Sequence, residues 1–112
     1  IIDNQVQIAH NDIIGENTAI AGSTTVAGSV TIGKYCIIGG SCAIAGHLSI
    51  ADGVHVSGGT NITSTMREPG LYSSATVAMD NKLWRKNTVR FRQLDELFHR
   101  VKTLEKNLKT PD

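Results

Sequence analysis

The sequence predicts an all-β solenoid, a parallel β-helix of hexapeptide repeats, followed by a loop and a C-terminal α-helix. The first observation is that Ile or Val recurs every six residues from position 2 to position 62. The second is that the next residue is almost always small, and that Val, Thr, Cys or Leu usually follows three positions later. The third is the composition, which is 40% hydrophobic but only 4% aromatic and so suits strands with a β-branched core. Because a six-residue period matches neither the 3.6-residue turn nor the heptad of a helix, the pattern is typical of a hexapeptide β-helix.

The predicted β-helix covers residues 1–67. Each hexad contributes one short strand and a turn, and three hexads close a triangular coil, so the eleven hexads give about 3.7 coils. The coils stack at the strand spacing of roughly 4.8 Å, with the repeating side chains pointing inwards. Because the end coils of so short a solenoid expose open ladders, an oligomer, or further coils before Ile1, is expected. The repeating positions are Ile2, Ile8, Ile14, Ile20, Val26, Ile32, Ile38, Ile44, Ile50, Val56 and Ile62.

A different pattern follows the repeat. Glu68, Pro69 and Gly70 mark a loop, so the sequence predicts an extended segment over 68–91. A helix is predicted over 92–109, because apolar residues recur there at spacings of three and four. They form a seam of about two heptads, which is too short to associate alone but can add to an existing oligomer. The residues of this leucine seam are Leu94, Leu97, Val101, Leu104 and Leu108.

The charge of the chain is small overall but unevenly distributed. The formal net charge of +1 excludes a strongly basic nucleic-acid-binding protein on bulk charge. Residues 1–63 hold one base, Lys34, whereas residues 64–112 hold ten bases and six acids. Five of those bases lie in the stretch 82–92, which contains no acid. This basic stretch is either a solvated surface or a docking site for an acidic partner.

The sequence shows no targeting signal, and its cysteine usage fits a reducing compartment. No run of 18 apolar residues is present, so no transmembrane segment is predicted. No basic start with an apolar block marks a signal peptide, and the missing start methionine suggests a fragment. The two cysteines, Cys36 and Cys42, cannot form a disulfide framework, which fits a reducing compartment. They occupy equivalent inward positions of their hexads and are predicted to fill the core.

Three residues on one line along the prism are candidates for chemistry. His10 and His47 fall at nearly the same position of the coil, two coils apart, which places their backbones about 10 Å from each other. That spacing suits two groups on either side of one reacting centre. Gly28, one coil from His10, leaves its backbone N–H unshielded and can donate to an oxyanion. A neutral imidazole is the usual general base near pH 7.

Each histidine also has a plainer interpretation as polar surface. A histidine exposed at a solenoid corner is usually solvated, and His55, on another face, and His99, on the helix, are predicted to be so. Zinc binding is the rival interpretation, but zinc needs three or four converging ligands. His10, His47 and His55 do not converge within one chain. A zinc site would therefore need ligands from a neighbouring subunit.

Four segments carry a resemblance to a known family: 2–11 (IDNQVQIAHN), 44–47 (IAGH), 68–74 (EPGLYSS) and 81–86 (NKLWRK). Together they resemble the C-terminal part of UDP-3-O-acylglucosamine N-acyltransferases, the N-acylating enzymes of lipid A biosynthesis. Hexads are shared by many acyltransferases, whereas EPGLYSS followed by NKLWRK is much more specific. The resemblance covers essentially the whole chain.

The resemblance implies a left-handed β-helix and a cytoplasmic homotrimer from a Gram-negative bacterium. It implies transfer of a 3-hydroxyacyl chain from acyl carrier protein to the 2-amino group of UDP-3-O-acylglucosamine. No tightly bound cofactor or metal is expected, because the phosphopantetheine of the carrier arrives as part of the donor substrate.

The site residues of the family map onto this sequence through the matching motifs. His10 corresponds to the general base, His47 to the histidine that assists at the thioester, and Gly28 to the oxyanion donor. Asn4 and Gln7, in the first motif, are expected to bind substrate. The basic residues expected to bind acyl carrier protein are Lys82, Arg85 and Lys86.

Three features depart from the family. The N-terminal nucleotide-binding domain is absent from this chain, so the chain alone is expected to fold and trimerise without turning over. Asp12 stands at a hexad position that is usually small and apolar, where it either orients His10 or faces solvent. The segment 59–63 is polar where the family measures the acyl chain, which leaves the acyl length open.

Two further functions stay open from the sequence. The sister O-acyltransferase, which acylates the 3-hydroxyl of UDP-N-acetylglucosamine, would use the same kind of base, although its helical tail is longer. A noncatalytic β-solenoid scaffold, trimerised by the leucine seam, would make His10 dispensable for every biochemical property.

Overall fold

The chain forms two compact units, Ile1–Thr76 and Val77–Asp112. A computed structural model describes residues 1–74 and 76–109. Within these residues, all strands belong to the first unit and both helices to the second.

The first unit is a parallel β-solenoid of about four coils, which confirms the predicted fold class. Its strands form three sheets with the orders β1-β4-β7-β10, β11-β9-β6-β3 and β2-β5-β8. Neighbours within a sheet are mostly three strands apart in the chain, so the chain visits the three sheets in turn. The strands are β1 (Gln7–Ile8), β2 (Ile13–Ile14), β3 (Ala19–Ile20), β4 (Thr25–Val26), β5 (Thr31–Ile32), β6 (Ile37–Ile38), β7 (Ala43–Ile44), β8 (Ser49–Ile50), β9 (Val54–Val56), β10 (Asn61–Ile62) and β11 (Gly70–Tyr72).

Equivalent residues of neighbouring coils face each other, as the hexad pattern predicts. Gln7 pairs with Thr25, and Thr25 pairs with Ala43. The inward Ile and Val side chains therefore stack along the prism, and they are buried from Ile20 onward. Small inward residues complete the core, among them Thr18, Thr24, Val30, Cys36, Cys42, Val54 and Thr60.

The two cysteines fill the core, as predicted. Cys36 is 0% exposed and Cys42 is 2% exposed. Each thiol donates to a carbonyl oxygen of the next coil, at 3.2 Å to Ala51 and 3.4 Å to Ser57. Packing and these weak hydrogen bonds account for both side chains without chemistry.

Each hexad turns at its third and fourth residues, and the fourth adopts a left-handed conformation. Its φ is positive at ten successive turns, from 58° at Gln5 to 71° at Gly59, and eight of the ten residues are not glycine. The small residue after each Ile or Val precedes this turn and is not one of its two residues. Its role is to let coils approach, because a Cβ on Gly15 or Gly39 would lie 2.6 or 2.5 Å from backbone atoms of the next coil.

The EPGLYSS segment closes the end of the solenoid. In β11, Leu71 faces His55, an offset shorter than one full coil, because the hexad period has ended. Beyond β11, Ser74 Oγ accepts from the Asn61 N–H at 2.9 Å, and Ser57 Oγ donates to Ser73 Oγ at 2.8 Å. The solenoid thus runs past its predicted end at residue 67.

The second unit contains two helices among its described residues, α1 (Asn81–Arg92) and α2 (Leu94–Leu108). The second confirms the predicted C-terminal helix, whereas the first corrects the extended segment predicted over 68–91. The Asp80 side chain begins α1 as its N-cap, accepting from the Lys82 and Leu83 N–H groups at 3.1 and 3.4 Å. Basic residues interrupt the apolar period of α1, which hid this helix in the sequence. Neither helix described over 77–109 combines the length and apolarity that a membrane span requires.

Candidate active site

The candidate site lies on one edge of the solenoid, where the strands of the β1-β4-β7-β10 sheet end. Turns 10–11, 28–29 and 46–47 stack there, one above the other. The Ser29 N–H donates to the His10 carbonyl at 2.9 Å, and the His47 N–H donates to the Gly28 carbonyl at 3.0 Å. The structure therefore brings His10, Gly28 and His47 to a single edge, as the spacing predicted.

The imidazole of His10 is exposed and oriented by its sequence neighbour. Its Nδ1 lies 3.3 Å from Oδ1 of Asn11. Because an amide oxygen only accepts hydrogen bonds, this contact favours the tautomer in which Nδ1 carries the proton and Nε2 the lone pair. Asn11 lies in the left-handed position of the turn, with φ 60°, which asparagine tolerates better than most residues.

Nε2 of His10 lies directly over the Gly28 backbone. A Cβ built on Gly28 would be 2.5 Å from Nε2 and 2.6 Å from Cε1 of that ring. The φ of Gly28 is not in the left-handed region, so the backbone itself does not require glycine there. Glycine at position 28 therefore provides space for the His10 ring.

The backbone N–H of Gly28 is available to a ligand. It donates to no acceptor within residues 1–74 and 76–109. At the same turn position on the neighbouring edge, the Lys34 N–H donates to Oδ1 of Asp52 at 2.7 Å. This turn can therefore present its first N–H to an anionic oxygen, at a distance typical of a charge-assisted hydrogen bond.

His47 occupies a different position of its turn from His10. It is the left-handed residue, with φ 61°, whereas His10 is the residue before its own left-handed Asn11. The side chain of His47 is exposed. Two coils separate its backbone from that of His10, which corresponds to about 10 Å at the ordinary strand spacing.

The two predicted substrate-binding residues precede His10 in the same coil. Asn4 is the first residue of the preceding turn, and its N–H donates to Oδ1 of Asp3 at 2.7 Å. Gln7 is exposed in β1, between the two turns. Asn4, Gln7 and His10 thus follow one another along a single stretch of the coil, and nothing in their contacts assigns a ligand to the first two.

The three predicted carrier-binding residues lie together on α1. Lys82, Arg85 and Lys86 are all exposed and are spaced by three and four residues, so they share one face of the helix. Helix α1 contains no acidic residue between Asn81 and Arg92. The basic stretch therefore gives α1 a positively charged surface.

Asp12 neither orients His10 nor faces solvent, so both sequence interpretations of it are wrong. Its Oδ1 accepts from the Val30 N–H, one coil on, at 2.8 Å. Its Oδ2 is buried without a hydrogen-bond partner in the described residues. At the equivalent position of the next hexad, Thr18 Oγ1 accepts from the Cys36 N–H at 3.0 Å and also donates to the Gly33 carbonyl at 2.7 Å.

The remaining histidines belong to other elements of the chain. His55 is exposed in β9, and His99 is exposed on α2, where it lies 3.5 Å from Asp95. Both are surface residues, as predicted. Across residues 1–74 and 76–109, no three His, Cys, Asp or Glu side chains are grouped closely enough to hold a metal ion.

Sequence reasoning missed two residues of the site. Asn11 orients the imidazole, and its signal was its place directly after His10 at a left-handed turn position. Gly46 lies one coil above Gly28 and has no side chain to cover the Gly28 N–H. Its signal was its one-coil offset from Gly28, the same offset that links Asp52 to Lys34.

The comparison with known proteins agrees with the family resemblance. No protein-family model matches the chain. UDP-3-O-acylglucosamine N-acyltransferase of Shewanella oneidensis is 86% identical over 112 residues, 100% of this chain. The proteins of the same name from Psychromonas ingrahamii and Chromohalobacter salexigens are 63% and 56% identical over 96% and 94% of it.

The chain spans about a third of the length of these relatives: 33%, 32% and 30%. The resemblance found in the four motifs is thereby confirmed along the whole chain. In sequence, the chain is similar over its full length to one third of the proteins named UDP-3-O-acylglucosamine N-acyltransferase.

Proposed function

We propose that this chain carries the acyl-transfer site of an N-acyltransferase of lipid A biosynthesis. The reaction moves a 3-hydroxyacyl chain from acyl carrier protein to the 2-amino group of UDP-3-O-acylglucosamine. The observation that carries the proposal is the oriented His10 imidazole over the Gly28 backbone, in a chain 86% identical to an enzyme of that name. The names of the relatives favour N-acylation over the sister O-acyltransferase.

His10 acts as the general base. The substrate amine attacks the thioester carbonyl carbon, and the new C–N bond leaves the nitrogen with a proton to lose. Nε2 of His10 accepts this proton, because the Nδ1 contact with Asn11 leaves the Nε2 lone pair free. General base catalysis of this kind contributes about 10²–10⁴-fold in rate.

Gly28 stabilises the charge that develops on the carbonyl oxygen. Its N–H has no acceptor in the described part of the chain, and the equivalent Lys34 N–H already binds a carboxylate oxygen. Donors of this kind typically lower the activation free energy by about 2.7–4 kcal/mol. The C–S bond then breaks, the protonated imidazole supplies the proton for the thiolate of phosphopantetheine, and His47 assists at that end of the thioester.

The assembly and partners belong to the same proposal. The solenoid packs as a cytoplasmic homotrimer in a Gram-negative bacterium, and the exposed leucine seam of α2 adds to that interface. Asn4 and Gln7 bind the UDP-sugar. The positive face of α1, with Lys82, Arg85 and Lys86, docks the acidic carrier protein by charge complementarity.

The decisive experiment compares the intact protein that carries this chain with its His10→Ala variant. The substrates are 3-hydroxyacyl carrier protein and UDP-3-O-acylglucosamine, and the product is identified by mass spectrometry. We expect a fall of about 10²-fold or more in kcat, with the fold retained. His55→Ala is the matched control, because His55 is also an exposed histidine but lies on another face, and it should leave kcat unchanged.

Each alternative outcome changes either the assigned base or the assigned function. Near-normal turnover by His10→Ala removes His10 as the base and directs attention to His47. A wild type that is inactive on these substrates but acylates UDP-N-acetylglucosamine is the O-acyltransferase. A wild type inactive on both, with an intact trimer, is the scaffold.

A further inference from the structure

The neighbouring edge of the solenoid shows what lies beside a turn N–H when the next coil supplies an acidic side chain. Asp52 stands at the same position of the turn as Lys34, one coil on. Its Oδ1 accepts from the Lys34 N–H at 2.7 Å. The chain therefore contains one turn in which an internal carboxylate occupies the anion position.

On the edge of the candidate site, Gly46 stands in the place of Asp52. It follows Gly28 by one coil, just as Asp52 follows Lys34 by one coil. A Cβ built on Gly46 would lie 3.2 Å from the Gly28 carbonyl oxygen and 4.0 Å from the Gly28 nitrogen. A side chain at position 46 would thus begin directly above the peptide groups on both sides of Gly28.

The backbone does not explain the glycine at position 46. Its φ is not positive, and the same turn position elsewhere holds His10, Lys34 and Asp52. The approach of 3.2 Å is close to the 3.3 Å that a Cβ on Gly40 would have to the Gly22 carbonyl oxygen, so it reflects the stacking of these turns. The fold accepts both a side chain and glycine at this position, since Gly22, Gly40 and Gly58 occupy it on another edge. On the edge of the site, glycine at position 46 leaves the Gly28 N–H without an acceptor among the described residues.

Resting on the proposed function, we propose that Gly46 is a positioning residue that keeps the anion position at the Gly28 N–H open for the reacting carbonyl oxygen. An acidic side chain there would bind the N–H as Asp52 does at Lys34. It would also place a negative charge where the oxyanion develops. With glycine at position 46, the Gly28 N–H is left to donate to the reacting oxygen. With an acidic residue there, the N–H would bind that side chain instead.

The test uses Gly46→Asp in the intact protein that carries this chain, with Gly46→Ala and Gly40→Asp as controls. Gly40→Asp makes the same chemical change in the same stacking environment, on an edge without His10. We expect Gly46→Asp to lower kcat by about 10²–10³-fold with little change in KM, the effect of losing one oxyanion donor. Gly46→Ala, which adds no acceptor, should cost less than about tenfold, and Gly40→Asp should leave kcat unchanged.

A second readout does not depend on turnover. In the amide spectrum of protein labelled with nitrogen-15 at glycine, the Gly28 proton should move downfield in Gly46→Asp and stay in place in Gly40→Asp. An active wild type whose Gly46→Asp variant keeps normal kcat overturns the inference and leaves the proposed function standing. If the wild type does not turn over, the proposed function fails, and an unmoved Gly28 proton in Gly46→Asp then overturns the inference as well.

Discussion

Replacing Gly28 by alanine should misplace the imidazole of His10 without disturbing the fold. The new methyl carbon would lie 2.5 Å from Nε2 and 2.6 Å from Cε1. Nonbonded atoms settle at about 3.5–4.0 Å, so the ring must move by about 1 Å. A displacement of that size can lower the rate about 10²-fold, equivalent to about 2.7 kcal/mol in activation free energy. The global stability should stay within about 0.5 kcal/mol, because the ring is exposed and the φ of residue 28 suits alanine.

The assay is acyl transfer by the intact protein, measured for wild type, Gly28→Ala, His10→Ala and the double variant. Because Gly28→Ala keeps the backbone N–H, its effect should act through His10 and nearly vanish in the His10→Ala background. Gly40→Ala is the matched control, since its Cβ would meet only the Gly22 carbonyl oxygen, at 3.3 Å, and the Ala21 Cβ. Normal turnover by Gly28→Ala, or full additivity with His10→Ala, would refute the argument that glycine is needed there to give the ring space.

Three further predictions concern other features of the chain. Asn11→Ala should lower kcat about fivefold to tenfold by releasing Nδ1 of His10, whereas Asn17→Ala, at the same left-handed turn position without a histidine, should change only stability. Reversing Lys82 and Lys86 to Glu should raise KM for acyl carrier protein, and added salt should shrink the difference; an unchanged KM would remove α1 as the docking surface. Asp12→Thr should raise the free energy of unfolding by about 1 kcal/mol in denaturant titrations, because a hydroxyl replaces an unpartnered buried oxygen, whereas Asp12→Val should lower it by leaving the Val30 N–H without an acceptor.

The solenoid could be predicted from the sequence because its core repeats one physical requirement. Each inward Ile or Val must stack on its counterpart in the next coil, so the period of the fold is written directly in the side chains. The end of the solenoid was harder to place, because β11 pairs at a shorter offset and no longer follows that period. Strand β11 is held by its pairing with β9 and by hydrogen bonds to the hydroxyls of Ser73 and Ser74. Neither contact gives a distinctive pattern in the sequence.

Helix α1 escaped prediction for a related reason. Its apolar residues are exposed, Trp84 at 42% and Phe91 at 68%, and no residue of the helix is buried. A helix without a buried face need not show a clear apolar period, so the signal that remains is the Asp80 cap and the absence of Gly and Pro after it. No residue of α2 is buried either, but its leucine seam recurs at spacings of three and four, and the helix was predicted from that period.

From the sequence, the candidate site could be predicted only for residues that stack on one another in successive coils. That one-coil offset pairs His10 with Gly28, and both were identified by it. It also pairs Gly28 with Gly46 and Lys34 with Asp52, and these relations became visible only when the Asp52 carboxylate was found against the Lys34 N–H.

Residues at the same position of successive coils form columns along the solenoid. In this solenoid, the side chains of one column therefore affect one another more than residues that are adjacent in the chain do. Asp12 lies close to His10 in sequence, yet it bonds to Val30, which is one coil away. Gly28 is a full coil away from His10, yet it sets the space available to the His10 ring. A substitution at any turn should accordingly be judged first by the residues at the same position of the coils before and after it. Asn11 is the exception, because the left-handed turn brings its side-chain amide against the imidazole of the preceding residue. It therefore orients His10 from within the same turn.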